Sequence, residues 1–286
     1  MSISSFLTKK FLKSLFFPAH NRGKALPKGL IRLLKKQPGF WDLPELPEIG
    51  SPLSNSGLIH DAQISISKKV NTKKCFFGVN GASGLIQSGI IAMANPGEYI
   101  LMPRNVHISV IKACALQNII PIFFDIEFSR VTGHYMPITK KWFTNVFNNI
   151  DFDNSKIAGV ILVSPYYQGY ATDLEPLIKI CHLHNLPVLV DEAHGSYFLF
   201  CENFNLPKSA LRSKADLVVH SLHKSLNGLT QTAIIWHNGN LIEENKLIKS
   251  INLLQTTSPN SLLLSSCEES IKDLSLIHIS EPTRRD

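Results

Sequence analysis

From residue 75 onward, short apolar runs alternate with stretches of mixed polarity. Cys75–Val79, Tyr99–Met102, Ile119–Phe124, Ile157–Val163, Leu186–Val190, Asp216–His220 and Thr232–Trp236 are short, bounded by polar or turn-forming residues, and read as strands. Leu85–Ala94, Ile108–Gln117, Trp142–Phe147, Leu174–His184 and Leu241–Leu254 carry the longer spacing of helices. Alternation of this kind predicts βαβ units and a largely parallel sheet. Continuous runs such as Val160–Val163 suit strands covered on both faces. In such sheets ligands sit beyond the carboxyl ends of the strands, so residues just past each run are the ones to inspect. Residues 1–74 differ: Pro18, Pro27, Pro38, Pro44, Pro47 and Pro52 interrupt them and few segments are periodic. An N-terminal arm with short helices laid over a main domain of residues 75–273 is expected.

Composition narrows the class. The 286 residues are 44% apolar with mean hydropathy near zero, as in a globular protein of one large or two modest domains. No apolar run reaches the ~18–20 residues of a membrane span, and no membrane partner is expected. The cysteines at 75, 114, 181, 201 and 267 are odd in number and lack CxxC spacing, which argues against a disulfide framework and for a reducing cytoplasm. The net charge of +7 is uneven: residues 1–41 hold nine Lys/Arg and no acid. Such an arm can contact nucleic acid, lie on a membrane, direct import into an organelle, or form a surface helix with a solvated basic face. Lysines interrupt its apolar positions, which excludes a secretory signal, and nucleic acid is not expected as a partner. At the other end, Leu274 to Arg284 reads like translated sequencing-adapter DNA, so residues 274–286 are expected to be a non-native tail.

The strand ends carry the candidate chemistry. Asp191 closes one apolar run, and Ser221-Leu222-His223-Lys224 follows another. A lysine amine can form a Schiff base with the aldehyde of pyridoxal 5'-phosphate (PLP), while a carboxylate pairs with the pyridinium nitrogen and keeps it protonated. An unpartnered buried carboxylate would be costly, and a cationic ring would offset that cost; a helix cap is the plainer role for Asp191. Gly81-Ala82-Ser83-Gly84 lies between a strand and a helix, where backbone N–H groups and a hydroxyl could bind phosphate. It could equally be an ordinary turn with Ser83 as cap. No Gly-Lys-Ser/Thr follows, so it is not a Walker loop, and Asp191-Glu192-Ala193-His194 spells a helicase box without its phosphate loop. His107 could lie flat on an aromatic cofactor or be a helix-terminal histidine satisfied by backbone. Ser164 could bond a ring substituent or serve as a turn residue before Pro165. Ser221 and His223 could donate to phosphate. Lys224 alone would read as a surface charge; its place in an ordered series of strand ends raises it above that. His182, His184, His194, His220 and His223 with Asp191 invite a metal reading, but zinc-type spacing is missing and no metal is expected.

Together these segments resemble the prokaryotic ornithine/lysine/arginine decarboxylases, from Phe17 to about Ser265. Pro18-Ala19-His20-Asn21-Arg22-Gly23 is a drifted copy of the family's opening segment, and Asp42-Leu43-Pro44-Glu45-Leu46 is similar to the element after it. Asn80-Gly81-Ala82-Ser83 resembles the phosphate turn, with alanine replacing a hydroxyl residue. Arg104-Asn105-Val106-His107 fits closely, and Asp191-Glu192-Ala193-His194-Gly195 and Ser221-Leu222-His223-Lys224 fit without change; Leu229-Thr230-Gln231-Thr232 and Thr256-Thr257-Ser258-Pro259 also fit. The resemblance implies a PLP-dependent transferase-like large domain of fold type I, with a mostly parallel seven-stranded sheet between helices. It implies PLP as cofactor, held by Gly81, Ala82, Ser83, His107, Ser164, Asp191, His194, Ser221, His223 and Lys224, of which Lys224, His107 and Asp191 are catalytic. The implied reaction is decarboxylation of lysine, arginine or ornithine to the amine, within polyamine biosynthesis and in a homodimer or larger homo-oligomer. Family members continue into a smaller C-terminal domain, which is expected to be absent here, so activity is expected to be impaired. An aminotransferase or lyase of the same fold, or a non-catalytic PLP-binding partner fragment, is the alternative.

Overall fold

The computed structural model describes residues 17–150, 156–200 and 206–280, the last six of these as helix backbone only. Lys9, Lys10 and Lys13 of the basic arm, and Cys201, lie outside the described residues. The elements run α1 (Lys28–Leu34), a 3₁₀ turn (Pro38–Phe40), α2 (Leu58–Val70), β1 (Lys74–Gly78), α3 (Gly81–Met93), β2 (Tyr99–Pro103), α4 (Ile108–Gln117) and β3 (Ile120–Phe124). Then come β4 (Phe128–Ser129), β5 (His134–Tyr135), α5 (Lys140–Asn148), β6 (Ile157–Val163), α6 (Glu175–Leu183), β7 (Val188–Asp191) and a 3₁₀ turn (Ser196–Phe200). The chain continues with β8 (Leu217–Ser221), α7 (Leu222–Ser225), β9 (Ala233–His237), α8 (Glu244–Leu254) and α9 (Ser261–Ser280).

Seven strands form one sheet in the order β1-β9-β8-β7-β6-β2-β3. β3, β2, β6, β7 and β8 are mutually parallel; β9 runs antiparallel between β8 and β1. The mostly parallel sheet therefore stands, with one reversed strand that periodicity does not reveal. Period-two alternation divides the core. Leu189, Leu217, Val219 and Ile235 pack with Leu85, Ile86 and Ile90 of α3 on one face. Val188, Val190, Val218 and Trp236 pack with Ile66 of α2, Leu177 of α6 and Cys267 of α9 on the other. Each such aliphatic side chain removed from water contributes about 1.5–3 kcal/mol before entropy is counted. Gly89 lets α3 approach the sheet: a Cβ there would lie 2.4 Å from Leu189 Cδ1.

Two helices escape the apolar pattern because they bury polar side chains. On α2, Gln63 and Ser67 share the inner face with Ile59, Ile66 and Val70. Gln63 is satisfied there, accepting from Phe77 N at 2.8 Å and donating to Pro52 O at 3.0 Å. On α9, buried Ser266 accepts from Leu229 N at 2.9 Å, and Ser270 donates to Ser266 O at 2.6 Å. Helix α9 continues through residues 274–280. The described cysteines 75, 114, 181 and 267 are unpaired and buried. Among the described residues no helix is long and apolar enough to cross a membrane.

Candidate active site

The carboxyl ends of β6, β7 and β8 and the N-terminus of α3 enclose a cavity of about 440 Å³. Its lining includes Gly81, Ala82, Ser83, His107, Asp191, His194, Ser221, His223 and Lys224. Nine of the ten expected residues thus meet in one place, drawn from a stretch spanning half the chain. Ser164 does not line it. It is buried, and its Oγ accepts from Thr172 N at 3.0 Å, a backbone anchor that leaves the hydroxyl proton to donate.

Local backbone explains how each group arrives. Gly81-Ala82-Ser83-Gly84 is the first turn of α3 rather than a turn preceding it, with Asn80 in the capping position, so Ser83 is not the cap. Gly81 has φ +72°, a left-handed conformation that glycine adopts at little cost, and its N–H donates to Gln231 O at 2.8 Å. Ala82 and Ser83 keep first-turn N–H groups, which have no carbonyl within the helix and point outward from its positive end. His107 caps α4, its Nδ1 accepting from Ser109 N at 3.2 Å and meeting Ser109 Oγ at 2.8 Å. The plainer reading of His107 as a helix-terminal histidine is therefore true, and the same side chain also lines the cavity.

Electrostatics sharpen the picture. Asp191 is 6% exposed and its Oδ1 accepts from Ala193 N at 3.1 Å. Burial pushes its pKa up, opposed by that N–H and by the positive charge of Lys224. Burial lowers the Lys224 amine, against the pull of Asp191. Lys224 Nζ lies 3.0 Å from His194 Nε2. Burial, with Lys224, His107 and His223 nearby, brings His194 down to about 4, so the imidazole is neutral at pH 7 and accepts from the lysine. Burial also lowers His223, whose Nδ1 lies 3.1 Å from Ser221 Oγ and 3.4 Å from Thr232 O. A desolvated amine, a costly carboxylate and unpaired N–H donors around one cavity suit a planar ligand with an anionic tail, a basic ring atom and an electrophilic carbon.

Sequence reasoning missed several parts. Asn105, Pro165 and Tyr167 line the cavity, and each lies within three residues of a singled-out position. Tyr167 meets the His194 ring edge-on at 5.9 Å, and Phe17 does so at 6.1 Å. Arg104 turns away and pairs with Asp125. The N-terminal segment reaches the site through Ala19 N, which donates to His223 O at 2.9 Å. Of the histidines weighed as metal ligands, two are engaged outside the cavity: His182 Nε2 meets Asp216 Oδ2 at 2.9 Å and His220 Nε2 meets Glu192 Oε2 at 2.7 Å.

The family model for the Orn/Lys/Arg decarboxylase major domain matches residues 18–278. The chain belongs to the Orn/Lys/Arg decarboxylase family. Among curated relatives, the arginine decarboxylase of Bacillus subtilis (strain 168) is 30% identical over 257 residues, covering 90% of this chain and 51% of that protein. The lysine decarboxylase LdcA of Pseudomonas aeruginosa is 24% identical over 60% of this chain and 20% of its own length. The chain spans about half the length of the arginine decarboxylases it matches. In three dimensions the chain superposes on the Francisella novicida lysine decarboxylase LdcF with a TM-score of 0.71 at 21% identity, covering 96% of this chain and 40% of that one. Serine palmitoyltransferase from Sphingomonas wittichii also matches, with a TM-score of 0.61 at 20% identity over 79% of this chain and 54% of that one. Both likenesses show the fold alone: a PLP fold type I domain, as expected.

Proposed function

We propose that this chain binds PLP in the cavity and carries the catalytic half of a decarboxylase acting on a basic amino acid. The observation that carries the reading is that Asp191, at the end of β7, and Lys224, in α7 just past the parallel neighbour β8, line one cavity together with the first turn of α3. The residues fit the cofactor by their own needs. Asp191 is a buried carboxylate whose pKa burial raises, and a cationic ring nitrogen would restore its ionised form. Ala82, Ser83 and Ser221 would hold the phosphate, and Lys224 the aldehyde carbon. When bound, PLP supplies an electron sink for the pair left by the departing carboxylate.

The chain's own groups do the rest. Asp191 holds positive charge at the far end of the cavity. His107, immobilised by Ser109, would pack on the flat ligand. His194, neutral at pH 7, accepts a hydrogen bond from Lys224 at 3.0 Å and orients it, while burial lowers the lysine pKa and so raises the fraction of amine free to attack. Tyr167 and Phe17 flank the His194 ring edge-on. Arginine, lysine or ornithine is the proposed substrate class, on the strength of the relatives; homodimerisation, a cytoplasmic setting and polyamine biosynthesis belong to the same proposal.

Titration of the chain with PLP tests it. A lysine-bound absorption band near ~420 nm is expected, and it should vanish in Lys224→Ala. Release of carbon dioxide without keto acid from one of the three amino acids would establish decarboxylation, whereas keto acid would identify an aminotransferase on the same fold. Absence of any cofactor band in the unaltered chain would sink the reading.

A further inference from the structure

Directly behind the cavity lies a second polar cluster that the proposed chemistry does not use. Glu192, His220 and Trp236 are each fully buried, on β9 and at the ends of β7 and β8. Trp236 Nε1 donates to His220 Nδ1 at 2.8 Å. An indole N–H can only donate, so His220 Nδ1 carries no proton and the imidazole is the neutral Nε2–H tautomer. Its Nε2 then donates to Glu192 Oε2 at 2.7 Å. Ser209 Oγ donates to the same oxygen at 2.9 Å, and Ala210 N donates to Oε1 at 2.9 Å. Glu192 thus accepts three hydrogen bonds with no donor of its own to offer.

The chain of contacts is directional, and two of its three members, Glu192 and His220, adjoin a cavity residue. Glu192 follows Asp191, and His220 precedes Ser221. Glu192 N also donates to Val219 O at 3.1 Å, so the strand ends are tied through backbone and side chain together. We propose that Glu192, His220 and Trp236 are positioning residues: a one-way hydrogen-bond relay that sets the spacing between Asp191 and the Ser221–Lys224 turn. The relay touches no ligand and acts only through those neighbours. The proposal rests on the PLP reading for its functional readout, while its tautomer stands independently of it.

Glu192→Gln tests the direction. If the glutamine N–H₂ faces His220 it meets a donor, and if it faces Ala210 N it meets a donor again. Trp236 blocks the tautomer switch that would relieve the first conflict. Imidazole ¹⁵N NMR on the ligand-free protein should show His220 as the Nε2–H tautomer. Glu192→Gln should shift the Asp191 and Ser221 amide resonances and weaken PLP binding roughly tenfold, the size of one buried group left in conflict. Trp236→Phe should weaken binding roughly threefold, and in the double variant His220 should switch tautomer so that binding is no worse than in Glu192→Gln alone. A proton on Nδ1 in the unaltered protein, unchanged Asp191 and Ser221 amides in Glu192→Gln, or additive losses in the double variant would each overturn the relay. Should Glu192→Gln fail to fold, Ser209→Ala removes one donor, and it too must move the Asp191 amide. If the unaltered chain binds no PLP, the cofactor reading fails and the tautomer and amide shifts alone decide the relay.

Discussion

Asp191 accepts one backbone N–H inside a cavity and pays for its burial with a raised pKa, whereas Glu192, one residue on, accepts three donors inside packed core. The two carboxylates are adjacent in sequence and fall on opposite faces of the sheet because side chains alternate along a strand. Leu189 joins the core on the α3 side, and Val188 and Val190 join the core on the α6 side. The lesson is that burial alone does not identify a functional acid. A buried carboxylate with its hydrogen bonds complete organises the fold, and one left short of partners next to a cavity is available to a ligand.

Substitutions can break this contrast. The largest effect is expected from Lys224→Ala, which should abolish the ~420 nm band and lower any decarboxylation by at least on the order of 10³-fold, since no other group offers the amine. Asp191→Asn should also cost on the order of 10²–10³-fold in turnover. It should nevertheless raise the melting temperature of the ligand-free protein by a few degrees, because it removes a buried, under-satisfied charge while keeping an acceptor for Ala193 N. Glu192→Gln should lower that temperature. If both variants move stability in the same direction, the distinction between the two acids fails.

A pH scan of the ligand-free protein sharpens the comparison. His20, His194 and His223 all have lowered pKa values in the folded state, His194 to about 4. The unfolded chain therefore binds more protons than the folded one between about pH 6.5 and 4. Stability contributed by these groups is present above that window and is lost as pH falls through it. Asp191, raised instead, works with the opposite sign: it protonates first in the folded state and recovers some stability on acidification. Calorimetric melting from pH 7 to 4 should show a net decline, smaller in His194→Asn. The smallest effect belongs to Gly81→Ala, where a Cβ meets nothing within 4 Å and only the left-handed φ is strained. It should destabilise by about 1 kcal/mol and weaken PLP binding by disturbing the first turn of α3.

Much of this was visible in the order of residues. The seven strands and the helices between them follow from apolar runs and their spacing. Asp191, Lys224, His107 and Ser83 stand at strand ends or in the first turn of a helix, where an α/β sheet collects ligands. Three kinds of feature were hidden. Helices α2 and α9 bury glutamine and serine, so their apolar stripe is broken, and only partners such as Phe77 N and Leu229 N reveal why those polar groups tolerate burial. His220 looked like one of a surplus of histidines, since nothing local marks Trp236, sixteen residues on, as the donor to its Nδ1. Ser164 follows β6, and nothing local shows that its hydroxyl accepts from a backbone N–H eight residues later.

Period and turn chemistry are local, so the sequence by itself determined which residues form strands, which end them, and that a carboxylate ends one strand and an amine closely follows another. Pairing between strands distant in the chain depends on which surfaces bury each other. Only the tertiary structure could therefore decide that β9 enters antiparallel beside β8, bringing Trp236 against His220, and that Asp191 and Glu192 divide between cavity and core. Hydrogen-bond partners are chosen by proximity in space, and that proximity exists only once the sheet has closed.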